Sequence, residues 1–367
     1  MKFSIDKSLL LKEVSIAQEI IASRNNLSIL SNVLLDVNDG TLTIKATDLK
    51  VSFETILPVQ EIKPGTTTVF CDKFLGILRT LPEGEVEFEL GEGGKLFIRP
   101  LSKSIQFHLK SISSEKFPET AQVEEDRYFE IPQAMVLEMI GQTIFSVSDD
   151  ESRYFMNGVY LEKKENKLIM VATDGRRLSY IEKEIEINQD FSGIIIPPKA
   201  LNLIKKLASG QGNMYLAVVD KSIFIKFDNQ KISSNLIDAQ FPNYTRVIPE
   251  SQALSLKVKK EDLSEALKRV SLLAEQKSKR IYLTVADHNI LMNSEESDIG
   301  MAKEEIPCEY EGPQTVLALN YSFLQDPLRV MNSDVILMQF SDSKKAVTLS
   351  TDPKKDFFHI IMPMQMD

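Results

Sequence analysis

The chain of 367 residues contains no tryptophan, only two cysteines (Cys71 and Cys308) and three histidines. Two cysteines so far apart cannot form a zinc-binding spacing, and such sparing use fits a reducing compartment. No run of about 18 apolar residues is present, so no helical membrane span is expected. The opening Met1-Lys2-Phe3-Ser4-Ile5-Asp6 lacks the apolar core of a secretion signal, which makes a cytoplasmic location the expectation. Positive charge is in deficit, with 43 Lys and Arg against 53 Asp and Glu, a net charge of -10. That excludes a generally basic nucleic-acid binder but not a local basic surface. Low-complexity segments are absent too. With 43% hydrophobic and 26% charged residues, the chain reads as an ordinary globular protein long enough for several cores.

What is present is repetition. Ile169-Met170-Val171-Ala172-Thr173-Asp174-Gly175-Arg176-Arg177-Leu178 has a twin in Thr43-Ile44-Lys45-Ala46-Thr47-Asp48-Leu49-Lys50-Val51, with Ala46 and Ala172 separated by 126 residues. Amphipathic helices are predicted to start near Asp6, Pro132 and Lys260, and a second set near Cys71, Pro197 and Leu319. Phe117-Pro118 and Phe241-Pro242 close two units at a separation of 124. A period of about 120 residues gives three domains, with boundaries at 1–124, 125–251 and 252–367.

Each unit reads helix, strands, helix, strands. Leu9, Leu10, Val14, Ala17, Ile20 and Ile21 recur at helical spacing. Asn38-Asp39-Gly40 between alternating strands predicts a hairpin, and Gly91-Glu92-Gly93-Gly94 predicts another. Pro327 lies inside the last predicted helix, where it should kink or shorten it. The pattern is α+β, with antiparallel sheets and helices on one face.

Catalytic sets do not assemble convincingly. Asp149-Asp150-Glu151 resembles a metal or acid–base cluster, yet reads more simply as a solvated loop after a helix. His108, His288 and His359 fall one per unit in strand-like context, which favours structural or surface roles over a triad. Gly91 to Gly94 is not followed by the helix start that a phosphate loop needs. Cys71 opens a predicted helix, a position that can lower a thiol pKa, but no base accompanies it and it reads as structural. No cofactor or metal is implied.

Two positive signals remain. The six predicted helix windows hold 12 basic and 10 acidic residues, so they carry +2 and the remainder carries -12. The segment from Lys199 to Leu207 has Lys199, Lys205 and Lys206 and no acid. Three methionines and a proline gather in Met362-Pro363-Met364-Gln365-Met366, and methionine is common at adaptable peptide-binding surfaces.

The chain resembles the bacterial sliding clamp family, the beta subunit of DNA polymerase III, over nearly its whole length. The resemblance rests on Met1-Lys2-Phe3, Arg24 with Ile29-Leu30-Ser31-Asn32, Ala46-Thr47-Asp48-Leu49, and Leu81-Pro82-Glu83-Gly84. It continues through Arg153-Tyr154-Phe155-Met156-Asn157-Gly158, Ala172 to Leu178, Phe241-Pro242-Asn243-Tyr244 and Met362-Pro363-Met364. It implies three similar domains per chain and a homodimeric head-to-tail ring with helices inside and sheets outside. It also implies no catalysis: the ring would encircle duplex DNA without reading sequence and tether the replicative polymerase, the clamp loader and other peptide-bearing partners. A non-DNA scaffold and an enzyme built on the Asp149 loop are the competing classes.

Carried over by position, the resemblance implies a partner-peptide pocket. One part comprises Met156, Thr173, Gly175, Arg176, Arg177, Leu178, Pro242, Arg246 and Val247. The other comprises Arg153, Tyr154, Asn320, Phe323, Ala346, Ile360, Met362, Pro363 and Met364. It implies DNA contacts at Arg24, Lys73, Arg79, Tyr154, Lys199, Lys205 and Lys206, and a subunit interface at Phe107, Leu272 and Leu273 beside Lys73. The chain departs from the family pattern at Arg176, Ala346 and Pro198, where histidine, serine and a basic residue are common.

Overall fold

The structure, a computed structural model, describes residues 1–21, 29–187, 189 and 191–366. The chain condenses into two compact units, Met1–Pro132 with Gln211–Leu236, and Gln133–Gly210 with Ile237–Asp367. Among the described residues, all strand pairings are antiparallel, as expected.

In the first unit, α1 (Lys7–Ile20) packs on α2 (Cys71–Thr80). The Asp6 carboxylate caps α1 by accepting the Ser8 and Leu9 amides at 2.9 and 3.3 Å. The apolar stripe of Leu10, Val14 and Ala17 is buried, as are Phe74, Leu75 and Leu78 of α2. Phe88 stacks on Phe3 at 5.0 Å and meets Phe74 edge-on. Cys71 is buried too, and burial pushes its thiol up to about 12, against the helix-terminus effect, so it is inert. Both hairpins form. Asp39 and Gly40 take positive φ in the two-residue turn between Asn32–Asn38 and Thr41–Thr47, and Gly91 to Gly94 link Glu85–Gly91 to Lys95–Pro100.

Strand Val51–Pro58 pairs with Gln230–Asn235, so strands of the second repeat extend the sheet of the first into a thirteen-strand ladder. Residues 211–236 therefore belong to the first compact unit. The second unit is built the same way: Arg177–Glu184 pairs with Phe357–Ile361 and so joins strands of the second and third repeats in a nine-strand sheet. A separate four-strand sheet contains Arg280–Ala286. Helices α3 (Gln133–Thr143), α4 (Pro198–Leu207), α5 (Lys260–Val270) and α6 (Tyr321–Val330) complete this unit. Short 3₁₀ turns, Ile144–Ser146 and Ser271–Leu273, follow α3 and α5.

Pro327 does not shorten α6, which has ten residues like α2 and α4. The Asn320 side chain caps it by accepting the Ser322 amide at 2.9 Å. Leu324, Pro327 and Leu328 are buried in one row, and this packing offsets the roughly 3 kcal/mol cost of an internal proline.

Candidate partner-binding site

The repeated Ala-Thr-Asp motif turns out to be a turn device. Thr173 Oγ1 donates to the Arg177 carbonyl at 2.6 Å and accepts the Gly175 amide at 3.0 Å. Asp174 Oδ1 accepts the Arg176 and Arg177 amides at 2.9 and 3.0 Å. Thr47 and Asp48 make the same four bonds to Val51, Leu49 and Lys50. Position three of the turn has positive φ in both copies, 86° at Gly175 and 72° at Leu49. At Gly175 the missing side chain also matters for space. A Cβ there would lie 2.9 Å from Arg153 Nη1, which donates to the Asp174 carbonyl at 3.0 Å.

The turn delivers Leu178 opposite Ile360 on the neighbouring strand. Around this pair opens a mostly apolar cleft of about 150 Å³, lined by Met156, Thr173, Gly175, Arg176, Arg177, Leu178, Pro242, Asn243, Tyr244, Val247, Ile360 and Met362. Leu178 and Ile360 are buried in its floor. Val247 is 51% exposed and Met362 42%, so the rim carries apolar surface in contact with water. Beneath and beside the cleft, Tyr160 stacks on Phe241 at 4.7 Å and Tyr180 on Phe358 at 4.8 Å, with Tyr244 within about 6.3 Å of both tyrosines. Burial and the neighbouring Glu162 carboxylate hold the Tyr160 hydroxyl protonated, with its pKa up at about 12.

Arg177 is a brace rather than a free cation. Its guanidinium bonds Asp174 Oδ2 at 3.0 Å, Asp326 Oδ2 at 2.6 Å and the Phe145 carbonyl, and lies 4.5 Å over the Phe323 ring. Behind the floor, Ser179 and His359 form a buried cross-strand pair. The hydrogen bonds there have one direction. Gln142 Nε2 donates to the Val330 carbonyl at 3.0 Å, so Gln142 Oε1 accepts from His359 Nε2 at 3.2 Å. Burial, with the Arg177 charge adding to it, lowers the His359 pKa to about 3, so the ring is neutral. With Nε2 carrying the proton, His359 Nδ1 accepts from Ser179 Oγ at 2.9 Å, which in turn accepts from Ser146 Oγ at 2.6 Å.

Three domain families match in sequence, each described as part of the DNA polymerase III beta subunit: the N-terminal domain over residues 1–121, the central domain over 130–243 and the C-terminal domain over 245–365. A beta sliding clamp of Treponema pallidum is 45% identical and one of Escherichia coli K12 is 29% identical, with full coverage of both chains in each case. The crystal structure of the sliding clamp from Pseudomonas aeruginosa bound to griselimycin matches with a TM-score of 0.94 at 27% identity, covering 100% of both chains. That of the Bacillus subtilis clamp matches with a TM-score of 0.94 at 25% identity and the same coverage. The chain belongs to the bacterial sliding clamp family. Its fold is the DNA clamp fold, and its function is that of a DNA sliding clamp in polymerase processivity.

Ten of the residues expected at the clamp's partner pocket line the cleft together. Asn243 and Tyr244 line it too and were not among the expected site residues, although both lie in the Phe241-Pro242-Asn243-Tyr244 motif. Of the others, Arg153 braces the turn through Asp150 at 2.8 Å and the Asp174 carbonyl. Tyr154 is exposed, Asn320 caps α6, and Ala346 packs against the Leu178–Ile360 cluster. Arg246 is exposed beside Val247. The tail is tied down by the Met362 amide on the Arg176 carbonyl at 2.9 Å and the Met364 amide on the Ala318 carbonyl at 2.8 Å, with Pro363 between them.

Of the residues expected to meet DNA, Lys199, Lys205 and Lys206 are exposed on one side of α4, opposite buried Ala200, Leu201, Leu203 and Ile204. Pro198 occupies the first turn of that helix, where its fixed φ is favourable. Lys73 and Arg79 are exposed on α2, with Lys73 at 3.4 Å from Asp72. Arg24 lies outside the described residues. Of the expected interface residues, Phe107 is half-buried and Leu272 is 76% exposed. Ile299, 86% exposed, and Met301 extend the apolar surface on the Gly300 loop, which approaches Leu273; neither was expected. Asp150, in the segment read from sequence as a solvated loop, caps a 3₁₀ turn by accepting the Ser152 amide at 3.0 Å. Among the described residues, no helix is long and apolar enough to cross a membrane.

Proposed function

We propose that two copies of this chain, each with repeats at 1–124, 125–251 and 252–367, close head to tail into a ring around duplex DNA. The ring acts in the cytoplasm and performs no chemistry of its own. Phosphate attraction from Arg24, Lys73, Arg79, Tyr154, Lys199, Lys205 and Lys206 retains it on DNA without base readout, which permits sliding. Leu272, Leu273, Ile299 and Met301 supply one side of the subunit interface and Phe107 the other.

The cleft at Leu178 and Ile360 takes a short apolar peptide from the replicative polymerase, the clamp loader or another partner. The observation that carries this reading is the chemistry of the cleft: an apolar floor with a half-exposed apolar rim, in a chain that is similar to sliding clamps from end to end. Tethering makes a weak peptide interaction effective by raising the local concentration of polymerase on its template. Removal of Met362 to Asp367 takes away one rim and two backbone anchors but little core. A peptide bearing bulky apolar side chains should bind this truncated protein at least tenfold more weakly than the full chain, by titration, while both remain folded. Equal affinities would remove the cleft as the partner site.

A further inference from the structure

The second helices of the three repeats, α2, α4 and α6, are ten residues each, so they align position by position. Lys73, Lys199 and Lys205 stand at the third, second and eighth positions, each basic in one helix alone. The ninth position is basic in all three, as Arg79, Lys206 and Arg329, and all three residues are exposed. Arg79 and Lys206 belong to the set expected to meet DNA, every member of which lies in the first two repeats. Arg329 continues the series into the third repeat, which supplies no residue to that set.

Arg329 also has company that its counterparts lack. It lines a groove of about 320 Å³ between α5 and α6, where the other charged residues are Lys260, Lys268 and Glu265. Three cations against one acid leave the lining at +2, and counting the nearby Asp326 still leaves +1. The first helices α1 and α3 have no basic residue in the last turn, whereas α5 has Lys268 and Arg269. Arg269 is committed to Glu304, at 2.8 and 2.5 Å. Lys268 and Arg329 are held only loosely. Their side chains are 75% and 72% exposed, and their ion pairs are long, 3.7 Å to Glu265 and 3.5 Å to Asp326. Each of these acids has a nearer cation, Arg269 on Glu265 at 3.4 Å and Arg177 on Asp326 at 2.6 Å. Exposed pairs of this kind yield readily to a competing anion. Glu261 and Asp262 lie in the first turn of α5, outside the groove lining and about 9 Å or more along the helix from Lys268. Lys260 donates to the Met331 carbonyl at 2.7 Å and so ties the start of α5 to the end of α6.

We propose that a backbone phosphate of duplex DNA sits in this groove between Lys268 and Arg329, so that all three repeats hold DNA through the same helix position. The guanidinium fork matches a phosphate and the ammonium adds a point charge. This rests on the chain forming a ring around DNA, but on residues outside the set assigned to DNA in the first two repeats.

The probe is a fluorescein-labelled duplex DNA of mixed sequence, titrated with the full-length protein at a series of salt concentrations and followed by anisotropy. Lys268→Ala with Arg329→Ala should weaken binding roughly fivefold or more and lower the salt slope by about one, for one phosphate no longer neutralised, whatever the DNA sequence. Arg329→Lys alone should stay close to the parent, because it keeps the charge. Glu265→Gln should tighten binding by removing the competitor for Lys268. Lys268→Gln with Arg329→Gln is the second loss pair should alanine disturb the helices. Lys344→Ala with Lys354→Ala removes the same charge from exposed loop positions and should leave the slope unchanged. An unchanged slope in both loss pairs, beside a lowered slope when Lys199, Lys205 and Lys206 are replaced by Ala, would overturn the proposal and leave the encircling ring standing. An unchanged slope in all of these would remove both. A drop as large in the Lys344 and Lys354 protein would also overturn the proposal, as an effect of net charge alone.

Discussion

Thr173 and Asp174 owe their repetition to backbone geometry: side-chain oxygens satisfy the amides of a tight turn, and the same four bonds recur at Thr47 and Asp48. The motif was legible in the sequence as a repeat, while the place of Leu178 in a pocket came only from the family resemblance. The role of His359 was not legible. A strand histidine gives no sign in sequence that its partners are Gln142 and Ser179, 217 and 180 positions away. The structure gives it a thermodynamic signature. In the folded state its pKa is lowered to about 3, whereas the unfolded chain takes up that proton below about 6.5. The unfolded state therefore binds more protons across that window, and stability falls as pH falls, by about 1.4 kcal/mol per pH unit from this group. Between pH 6.5 and 5 the parent should lose about 1.6 kcal/mol more than His359→Gln in urea unfolding. Equal losses would mean that His359 does not remain neutral in the fold.

Helices were the most legible elements, because a buried stripe at 3.6-residue spacing is written locally. The sheet junctions were not. Whether Val51–Pro58 pairs with Gln230–Asn235 depends on tertiary register, which no local pattern encodes. That is why residues 211–236 join the first compact unit. Pro327 misled for a related reason: propensity is local, while the burial that outweighs it is not. Among the elements, α4 makes the sharpest functional prediction. Its apolar side is buried and its lysines are exposed, with Lys205 and Lys206 in the last turn where the helix dipole favours cations. Replacing Lys199, Lys205 and Lys206 by Ala should leave thermal stability within about 0.5 kcal/mol, apart from the small loss of dipole stabilisation. The slope of log affinity for duplex DNA against log salt should drop by about one for each phosphate no longer neutralised, irrespective of DNA sequence. An unchanged slope would show that α4 does not meet the phosphates.

An encircling ring requires closure. Leu272, Ile299 and Met301 are apolar side chains left in water by the single chain, and burying such surface against a second copy is the natural way to stabilise a ring. Fully buried leucines at that interface would each be worth about 2–5 kcal/mol, so Leu272→Ala with Leu273→Ala should give folded monomers by sedimentation. A clamp held by topology behaves differently from a protein held by affinity, and this gives the most direct test. The protein, loaded by transient opening onto closed circular duplex DNA, is passed through a sizing column at a salt concentration that abolishes ordinary electrostatic binding. The protein should stay with the circle, leave when the circle is cut once, and be retained on neither when Leu272 and Leu273 are replaced. Equal retention on circular and linear DNA, or loss from both at the same salt, would contradict an encircling ring.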